Sequence, residues 1–357
     1  MTEGCKNGEY GMCHLVTEKE AAAWLGERPA DSHKGTYGYV TLLGGSVRYS
    51  GAVKLANLSC NGAQAAVNLI DKTPATDCGD GSASDGNGSA VNREAASGVT
   101  VDLLACTTAA MRAGAGVVKL AAPEPLTQAI LPYILESTFL PMPSTEDGQL
   151  RFDVDKLDEA LHKQRAAAFG MGIGTGAETA KILHYILQNK KLTFIIDADG
   201  LNELAAHEDL KALLKTTACQ VILTPHVMEF SRLSGAPVEE ILRNPVDLAQ
   251  EFAAGYKVTV LLKGHVTTVT DGSRVYQIDR GCSGMATAGS GDVLSGVLCG
   301  MAGYISDPVQ AASTAAFVAG MAGEMAEADK NPVSMTAGDT AAYVEKAITK
   351  LWNTYRR

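Results

Sequence analysis

Short runs of apolar residues, each ended by glycine or a polar residue, recur along most of the chain. Several are apolar at both alternating positions, which is typical of parallel strands buried on both faces. The runs are YVTLLGG (39–45), GVVKLAA (116–122), AAAFGMG (166–172), LTFIID (192–197), QVILT (220–224) and VTVLLKG (258–264). Patterns of helical period lie between them, for example around 201–215 and 227–254. This alternation predicts an α/β layer fold with a mainly parallel central sheet.

Two later segments extend this predicted fold. VTTVTD (266–271) and RVYQI (274–278) are joined by a Gly-Ser turn, which predicts a local hairpin. QAASTAAFVAGMAGEMAEA (310–328) has the pattern of a helix rich in small residues. Small side chains let helix backbones approach closely, so we expect this helix to pack tightly against its neighbours.

One segment, residues 71–98, departs from the pattern. DKTPATDCGDGSASDGNGSAVNREAASG has almost no large apolar residue, so it buries too little surface to offset the entropy of ordering. It is predicted to be a flexible insertion, with a functional lid as the alternative. No internal repeat or second core is visible. We therefore expect an N-terminal extension over 1–33 and a single domain over 34–357.

Composition narrows the possible partners and the compartment. The 357 residues are 46% hydrophobic and 20% charged, and no apolar run is long enough to predict a membrane span. The start of the chain does not resemble a signal peptide. Eight scattered cysteines without a CxxC pair predict reduced thiols and a cytoplasmic protein. A formal charge of −10 argues against nucleic acid, although backbone donors can still bind a small anion.

The segment GMATAGSGDVLSG (284–296) predicts an anion site at a helix that begins near Ser290. A helix N-terminus presents unpaired N–H groups and partial positive charge, and Gly289 and Gly291 carry no side chain that would hold a phosphate away. Asp292 would repel that phosphate, so it is better explained as a base that accepts a proton from an attacking hydroxyl. The alternative is an acidic residue that only complements the helix dipole.

Two further glycine-rich segments follow predicted strands. Gly44-Gly45-Ser46 lies at a strand end, where open α/β sheets bind ligands, or is a plain strand-to-helix turn. GMGIGTG (170–176) matches a dinucleotide fingerprint poorly, because its glycines alternate, but it suits a strand end beside a ligand.

Three polar segments also follow strand ends. In DADGLNEL (197–204), Asp197 either helps to hold a metal or a substrate hydroxyl, or caps the next helix. His226, in TPHVMEFSRLSG (224–235), is a candidate functional residue, with Glu229 and Arg232 on one helical face. Lys263, in LLKGHVTTV (261–269), either neutralises phosphate charge or approaches a nucleotide, or it is a surface lysine at a turn. The chain has no GxSxG or HExxH motif, so nothing else suggests nucleophilic or zinc chemistry.

Taken together and in order, these motifs resemble those of the ADP/ATP-dependent NAD(P)H-hydrate dehydratases of the ribokinase-like superfamily. The resemblance covers roughly residues 34–70 and 99–330 and rests on the whole set. The motifs that carry the resemblance are K-G-x-x-G, G-G-S-x-x-Y-x-G-A, A-G-A-G-V-V (113–118), G-x-G-x-G, D-A-D-x-L-N, T-P-H-x-x-E-F-x-R-L, L-K-G-x-x-T and G-M-A-T-A-G-S-G-D-V-L-S-G. It implies a ribokinase-like three-layer α/β/α fold.

The resemblance also implies an activity. Family members remove water from the S epimers of the hydrates NADHX and NADPHX and so restore NADH and NADPH, with phosphoryl transfer to the ring hydroxyl and then loss of phosphate. A nucleotide, ADP or ATP, is the co-substrate, with Mg²⁺. The TPH form of the histidine motif favours ADP. The epimerase domain of fused bacterial versions is not found here, so the resemblance implies no epimerase activity.

By position, the resemblance assigns roles to individual residues. Asp292 is the catalytic carboxylate and contacts the hydrate. Substrate binding is implied for Ala52, Gly172, Gly174 and His226. Nucleotide binding is implied for Lys263, Gly264, His265, Val266, Thr267, Gly289, Ser290 and Gly291. No metal ligand is identified, and the family's common tetramers imply a homo-oligomer.

Three other functions stay open at this stage. A ribokinase-like kinase acting on a small molecule such as a vitamin-precursor alcohol would use ATP and the same GSGD loop. A hydride-transferring oxidoreductase is disfavoured by the spacing of GMGIGTG and by the lack of the expected ribose-binding acidic residue. A nucleotide-binding regulatory protein without catalysis would keep the glycine loops but would not need the base.

Overall fold

A computed structural model describes residues 13–46 and 93–355, with side chains in the helix 93–112 described from Leu103 onward. The described strands form one sheet of ten, in the order β1-β10-β9-β8-β7-β6-β5-β2-β3-β4. Their bounds are β1 His14–Leu15, β2 Tyr39–Leu43, β3 Val117–Pro123, β4 Thr138–Met142, β5 Ala166–Phe169, β6 Thr193–Ile196, β7 Gln220–Leu223, β8 Thr259–Leu262, β9 Thr267–Thr270 and β10 Val275–Ile278. Strands β2 to β8 pair in parallel, and β9 pairs antiparallel with β8 and β10. The predicted parallel sheet and the hairpin are confirmed.

Helices cover both faces of this sheet. Those of the described chain are α1 Glu18–Trp24, α2 Arg93–Arg112, α3 Thr127–Ile130, α4 Val154–Leu161, α5 Ala177–Asn189, α6 Ala198–Ala206, α7 Glu208–Leu213, α8 Val227–Ser234, α9 Val238–Arg243, α10 Pro245–Tyr256, α11 Ser290–Ala302, α12 Pro308–Lys330 and α13 Ala337–Tyr355. Helix α2 begins at Arg93, inside the range 71–98 that composition predicts to be a flexible insertion. Residues 71–92 lie outside the described part of the chain.

Alternate residues of each strand pack into two separate apolar layers. In β2, Leu42 packs into the layer that contains α1, α2, α11, α12 and α13, while Leu43 packs into the layer that contains α4 to α10. The same alternation places Ile195 of β6 in the first layer and Ile196 in the second. Because successive side chains of a strand point to opposite faces, strands apolar at every position require helices on both sides. The result is the three-layer α/β/α architecture.

The strand order reverses between β2 and β5. From β2 the chain builds outward through β3 and β4 on one side, then returns to β5 and builds through β6, β7 and β8 on the other. Open α/β sheets bind ligands at such a reversal, beyond the carboxyl ends of the strands. Here those ends carry Gly44 after β2 and Gly170 after β5. The two turns touch, since the Gly45 N–H donates to the Met171 carbonyl at 2.8 Å.

The N-terminal residues belong to this same structure. Strand β1 pairs with β10, and α1 packs against α12 and α13. Glu18 of α1 accepts hydrogen bonds from Arg280 and from Tyr355. Residues 14–24 of the predicted N-terminal extension therefore form one edge of the sheet and its cover. Within the described residues, no helix is long and apolar enough to cross a membrane.

Candidate functional site

The GMATAGSGDVLSG segment begins a helix where the sequence predicts one. Helix α11 begins at Ser290, after Gly289 in the left-handed conformation with φ 88°, and no described side chain caps it there. The Ser290 hydroxyl is buried and has no hydrogen-bond partner among the described residues. Uncapped N–H groups beside an unpartnered hydroxyl provide donors suited to a phosphate.

Helix α11 is held firmly behind this end. A Cβ on Gly296 would lie 2.2 Å from the carbonyl oxygen of Cys106, and one on Gly300 would lie 2.5 Å from that of Ala110. These two glycines therefore let α11 pack directly on the backbone of α2. The entry to the loop is also fixed, because the Gly284 N–H donates to Glu327 of α12 at 2.7 Å.

A buried ion pair lies beside the start of α11. Nζ of Lys263 is 2.9 Å from Oδ1 of Asp197, and the Ser295 hydroxyl donates to Oδ2 of the same carboxylate at 2.7 Å. A Cβ on Gly291 would lie 3.7 Å from Nζ of Lys263 and 3.8 Å from Oδ2 of Asp197. Strands β6 and β8 and helix α11 therefore meet at this pair.

Burial and charge oppose each other at this pair. Burial alone would raise the pKa of Asp197, but Lys263 and the Ser295 hydroxyl bring it below the ordinary value. Burial alone would lower the pKa of Lys263, but Asp197, then Glu229, and more weakly Asp292 raise it. Lysine and aspartate are therefore both ionised, and Lys263 is the positive charge at this helix end.

The structure excludes the helix-cap alternative for Asp197 and the surface-lysine alternative for Lys263. Asp197 takes the N-cap position of α6 but makes no capping hydrogen bond, because both of its oxygens are engaged elsewhere. Lys263 is not a surface lysine, since its side chain is only 21% exposed. The remainder of its loop is more open: Gly264 and His265 are exposed, and Val266 and Thr267 are half-buried.

His226 has a structural role that the sequence did not reveal. Its Nδ1 accepts hydrogen bonds from the backbone N–H groups of Met228 and Glu229, while the Glu229 carboxylate accepts from the His226 N–H. This reciprocal capping box begins α8 and assigns the remaining proton of the neutral ring to Nε2. The ring is exposed at the sheet edge, which leaves part of it accessible to a ligand.

The GMGIGTG loop follows β5 at the same edge. A Cβ on Gly170 would lie 2.0 Å from the Asp197 carbonyl oxygen, so this glycine is required for close approach to β6. In contrast, a Cβ on Gly172 would meet no atom of the described residues within 4 Å. Gly174 is buried, and its N–H donates to Asp199. The open space at Gly172 is consistent with a ligand-facing position.

Most of the candidate residues thus belong to one edge of the sheet. The candidate residues that come shortly after the ends of parallel strands are Gly172, Gly174, His226, and Lys263 with the loop that follows it. Gly289, Ser290, Gly291 and Asp292 join them through the contact of Gly291 with the Lys263–Asp197 pair. Ala52 lies outside the described residues. Among the residues that are described, no group of three His, Cys, Asp or Glu side chains could hold a metal ion.

Sequence reasoning did not assign a role to several residues that shape this edge. Ser295 bonds to Asp197, and Asp199 and Glu203 bond to the glycine loop. One signal was available for the last two: they are four residues apart on the helix that begins directly after β6, which places them on one face.

A family model described as NAD(P)H-hydrate dehydratase matches residues 102–347. The chain is 30% identical over 345 residues to the bifunctional NAD(P)H-hydrate repair enzyme Nnr of Moorella thermoacetica, covering 95% of this chain and 55% of that protein. It is 28% identical to the ADP-dependent (S)-NAD(P)H-hydrate dehydratase of Bacillus subtilis, covering 87% of this chain and 88% of that protein. The chain thus spans about half the length of the bifunctional relatives it matches.

Solved structures share the fold. A ribokinase-like superfamily protein of Enterococcus faecalis superposes with a TM-score of 0.70 at 19% identity, covering 97% of this chain and 99% of that one. The ADP/ATP-dependent NAD(P)H-hydrate dehydratase of Bacillus subtilis, co-crystallised with ATP and Mg²⁺, gives a TM-score of 0.67 at 23% identity, covering 95% and 99%. The three-layer fold is therefore ribokinase-like, as predicted.

Proposed function

Because this chain belongs to the NAD(P)H-hydrate dehydratase family, we propose that it dehydrates (S)-NADHX and (S)-NADPHX to NADH and NADPH at the expense of a nucleotide. The observation that carries the proposal is the first turn of α11. There an uncapped helix N-terminus, the unpartnered Ser290 hydroxyl and the Lys263 ammonium lie close to one carboxylate, Asp292. Donors for a phosphate and a base for a hydroxyl are both available.

In this proposal the nucleotide's terminal phosphate lies at Gly289, Ser290 and Gly291, with Lys263 to Thr267 beside the rest of the nucleotide. The hydrate lies over Ala52, Gly172, Gly174 and His226. Its ring hydroxyl then faces the phosphorus with Asp292 alongside. Glycine at positions 289 and 291 allows the phosphate to reach the backbone N–H groups.

The reaction proceeds in two steps. The ring hydroxyl oxygen attacks the terminal phosphorus, its proton passes to Asp292, and the bond from that phosphorus to the leaving nucleotide breaks. The C–O bond of the phosphorylated ring then breaks, phosphate leaves, and loss of a proton from the adjacent carbon restores the ring double bond. The oxygen of the ring hydroxyl thus leaves the hydrate as part of the released phosphate. Positioning and charge stabilisation are the main contributions of the protein.

We propose ADP as the preferred nucleotide, with AMP and phosphate as products, and ATP as the alternative. The Bacillus subtilis relative named as ADP-dependent supports this choice. Mg²⁺ enters with the nucleotide, because this ion is commonly held by substrate phosphates with few protein ligands. The described side chains form no group of three His, Cys, Asp or Glu that could hold the ion by themselves.

We further propose a cytoplasmic enzyme that assembles as a homo-oligomer. The five cysteines among the described residues form no disulfide with one another, which fits a reducing compartment. Oligomer formation rests on the family resemblance, and sedimentation of the purified protein would test it.

The test is recovery of the dihydronicotinamide absorbance when the protein is incubated with (S)-NADHX, Mg²⁺ and either ADP or ATP. Recovery is expected, faster with ADP, with AMP and phosphate as products. Failure with both nucleotides would overturn the proposal. A small-molecule kinase would instead prefer ATP and accumulate a stable phosphorylated product. The family match gives that alternative less support.

A further inference from the structure

The backbone conformation of the GMGIGTG loop is not determined by the loop's own residues. Gly170, Gly172, Gly174 and Gly176 all have positive φ, at 118°, 61°, 83° and 134°. Glycine visits such conformations readily, but it visits many others equally well. The conformation of residues 170–176 must therefore be fixed by contacts from outside the loop.

Two carboxylates of α6 supply those contacts. The Gly174 N–H donates to Oδ2 of Asp199 at 2.9 Å, and the Gly176 N–H donates to Oε2 of Glu203 at 2.8 Å. Hydrogen bonds to charged acceptors are stronger than neutral ones. Asp199 and Glu203 are one helical turn apart, so a single helix face engages alternate amides of the loop.

Because the groups around these hydrogen bonds are buried or already bonded, water cannot easily replace the two carboxylate acceptors. Glu203 is only 3% exposed, and its other oxygen lies 2.9 Å from Nε2 of His207. The carbonyl of Gly174 is also occupied, because the buried Thr179 hydroxyl donates to it at 2.8 Å. Gly174 is therefore held at both of its backbone polar groups, while no described residue lies within 4 Å of a Cβ placed on Gly172.

We propose that Asp199 and Glu203 are positioning residues that hold the glycine loop at Gly174 and Gly176, so that the backbone at Gly172 is presented to the hydrate. This rests on the proposed function, which assigns Gly172 to the hydrate site. Neither carboxylate is expected to touch the nucleotide. Loss of the clamp should therefore weaken binding of one substrate and spare the other.

The experiment compares Asp199→Ala and Glu203→Ala with Glu203→Gln, which keeps an oxygen acceptor for Gly176. Asp271→Asn is the matched control, because this carboxylate also accepts backbone N–H groups but lies in the β9–β10 turn at the opposite edge of the sheet. Amide hydrogen exchange of a peptide covering 170–177 and the separate KM values for hydrate and nucleotide are measured on each protein.

In the alanine variants, exchange at residues 170–177 and the KM for the hydrate should both rise about tenfold or more, because a charge-assisted hydrogen bond is lost. The KM for the nucleotide should change little, Glu203→Gln should recover most of the effect, and Asp271→Asn should change neither readout. Unchanged loop exchange, or an equal rise in both KM values, would overturn the proposal.

Hydrogen exchange separates failure of this inference from failure of the proposed function. If the wild-type protein does not act on the hydrate but the loop loosens in the alanine variants, the clamp stands and the assigned substrate is wrong. If wild type is active and the loop is indifferent to both substitutions, the clamp is wrong and the activity stands. Where one alanine variant does not fold, the other is used; where neither folds, Glu203→Met, which fills similar space without an oxygen acceptor for the Gly176 N–H, is compared by exchange with Glu203→Gln.

Discussion

Nζ of Lys263 donates a hydrogen bond to Oδ1 of Asp197 at 2.9 Å, across 66 residues of sequence. Asp197 is only 2% exposed, and its second oxygen accepts from Ser295 of α11. The pair therefore joins the ends of β6 and β8 to the helix that starts the proposed phosphate site. It keeps a positive charge beside that site in a protein whose formal net charge is −10.

Lys263→Met should destabilise the protein, because it leaves Asp197 buried without its counter-charge. Removal of one partner of a buried pair costs roughly 3–5 kcal/mol. Since Lys263 is 21% exposed, we expect the lower end of that range. Urea denaturation gives the free energy of unfolding. The double variant Asp197→Asn with Lys263→Met should regain part of the loss. A loss in the double variant equal to the sum of the losses in Lys263→Met and in Asp197→Asn alone would show that the two side chains are energetically independent.

Asp292→Asn should abolish turnover while leaving nucleotide binding intact. Removal of a general base costs about 10²–10⁴ in rate. The nucleotide contacts assigned to the backbone of α11 and to Lys263 do not require this carboxylate. The rate of NADH recovery and the Kd of ADP by calorimetry are the two measurements. Unchanged turnover would remove the mechanistic role of Asp292 and would favour a non-catalytic or different use of the site.

Gly291→Ala should separate function from stability. The added Cβ would make only ordinary contacts, 3.7 Å from Nζ of Lys263, and alanine favours a helix over glycine by about 1 kcal/mol. We expect unchanged or higher thermal stability, together with loss of nucleotide affinity, because the methyl group obstructs approach to the helix end.

Gly296→Ala is the opposite control on the same helix. Its Cβ would lie 2.2 Å from the Cys106 carbonyl oxygen, so α11 and α2 would have to separate. We expect a clear loss of thermal stability, of about 1–3 kcal/mol. If Gly291→Ala destabilises as much as Gly296→Ala, the space at residue 291 is not reserved for a ligand.

His226→Asn should distinguish the two roles of this residue. Asparagine is a good N-cap, so it should preserve the start of α8, whereas His226→Ala should lose about 1 kcal/mol. Both variants should raise the KM for the hydrate if the imidazole contacts that substrate. Thermal melts and hydrate kinetics test the two effects separately. An alanine variant of unchanged stability would show that the capping hydrogen bonds contribute little.

Asp271 should make the stability of the β9–β10 hairpin depend on pH. Burial opposes its charge, but hydrogen bonds from Arg274 and Ser273 lower its pKa to about 2. A lowered folded-state pKa adds stability above the unfolded value of about 3.9, and this is lost as pH falls towards the folded value. Asp271→Asn should therefore cost about 1–2 kcal/mol near neutral pH, a gap that closes as pH falls from about 4 to about 2. A gap independent of pH over that range would contradict the assignment.

The sequence was sufficient for the inner strands because they are buried on both faces and therefore nearly all apolar. It was insufficient at the sheet edges. Strand β1, His14–Leu15, consists of only two residues, and both are exposed. Strand β4, Thr138–Met142, contains Pro141, which weakens the sequence pattern of a strand. These strands form through pairing with β10 and β3, so their cause lies in distant residues.

The candidate site divides in the same way. The glycines and Asp292 could be predicted because their backbone requirements are local. The partnership of Asp197 with Lys263 could not, because nothing in either segment indicates which other strand end lies beside it. The position of Asp197 after a strand predicts a helix cap, or a ligand for a metal or a substrate hydroxyl; the cap is wrong, because the Lys263 ammonium and the Ser295 hydroxyl bond to its two oxygens instead.

Helix α11 has two roles: its first turn forms the proposed phosphate site, and its later glycines pack on the backbone of α2. Substitutions at the later glycines would move the helix, and substitutions in the first turn would alter the proposed phosphate site itself. Gly264 and His265, exposed in the turn between β8 and β9, are not constrained in this way. Directed evolution of nucleotide preference should therefore randomise this turn and leave α11 untouched, since new base or ribose contacts can be selected there without disturbing the fold.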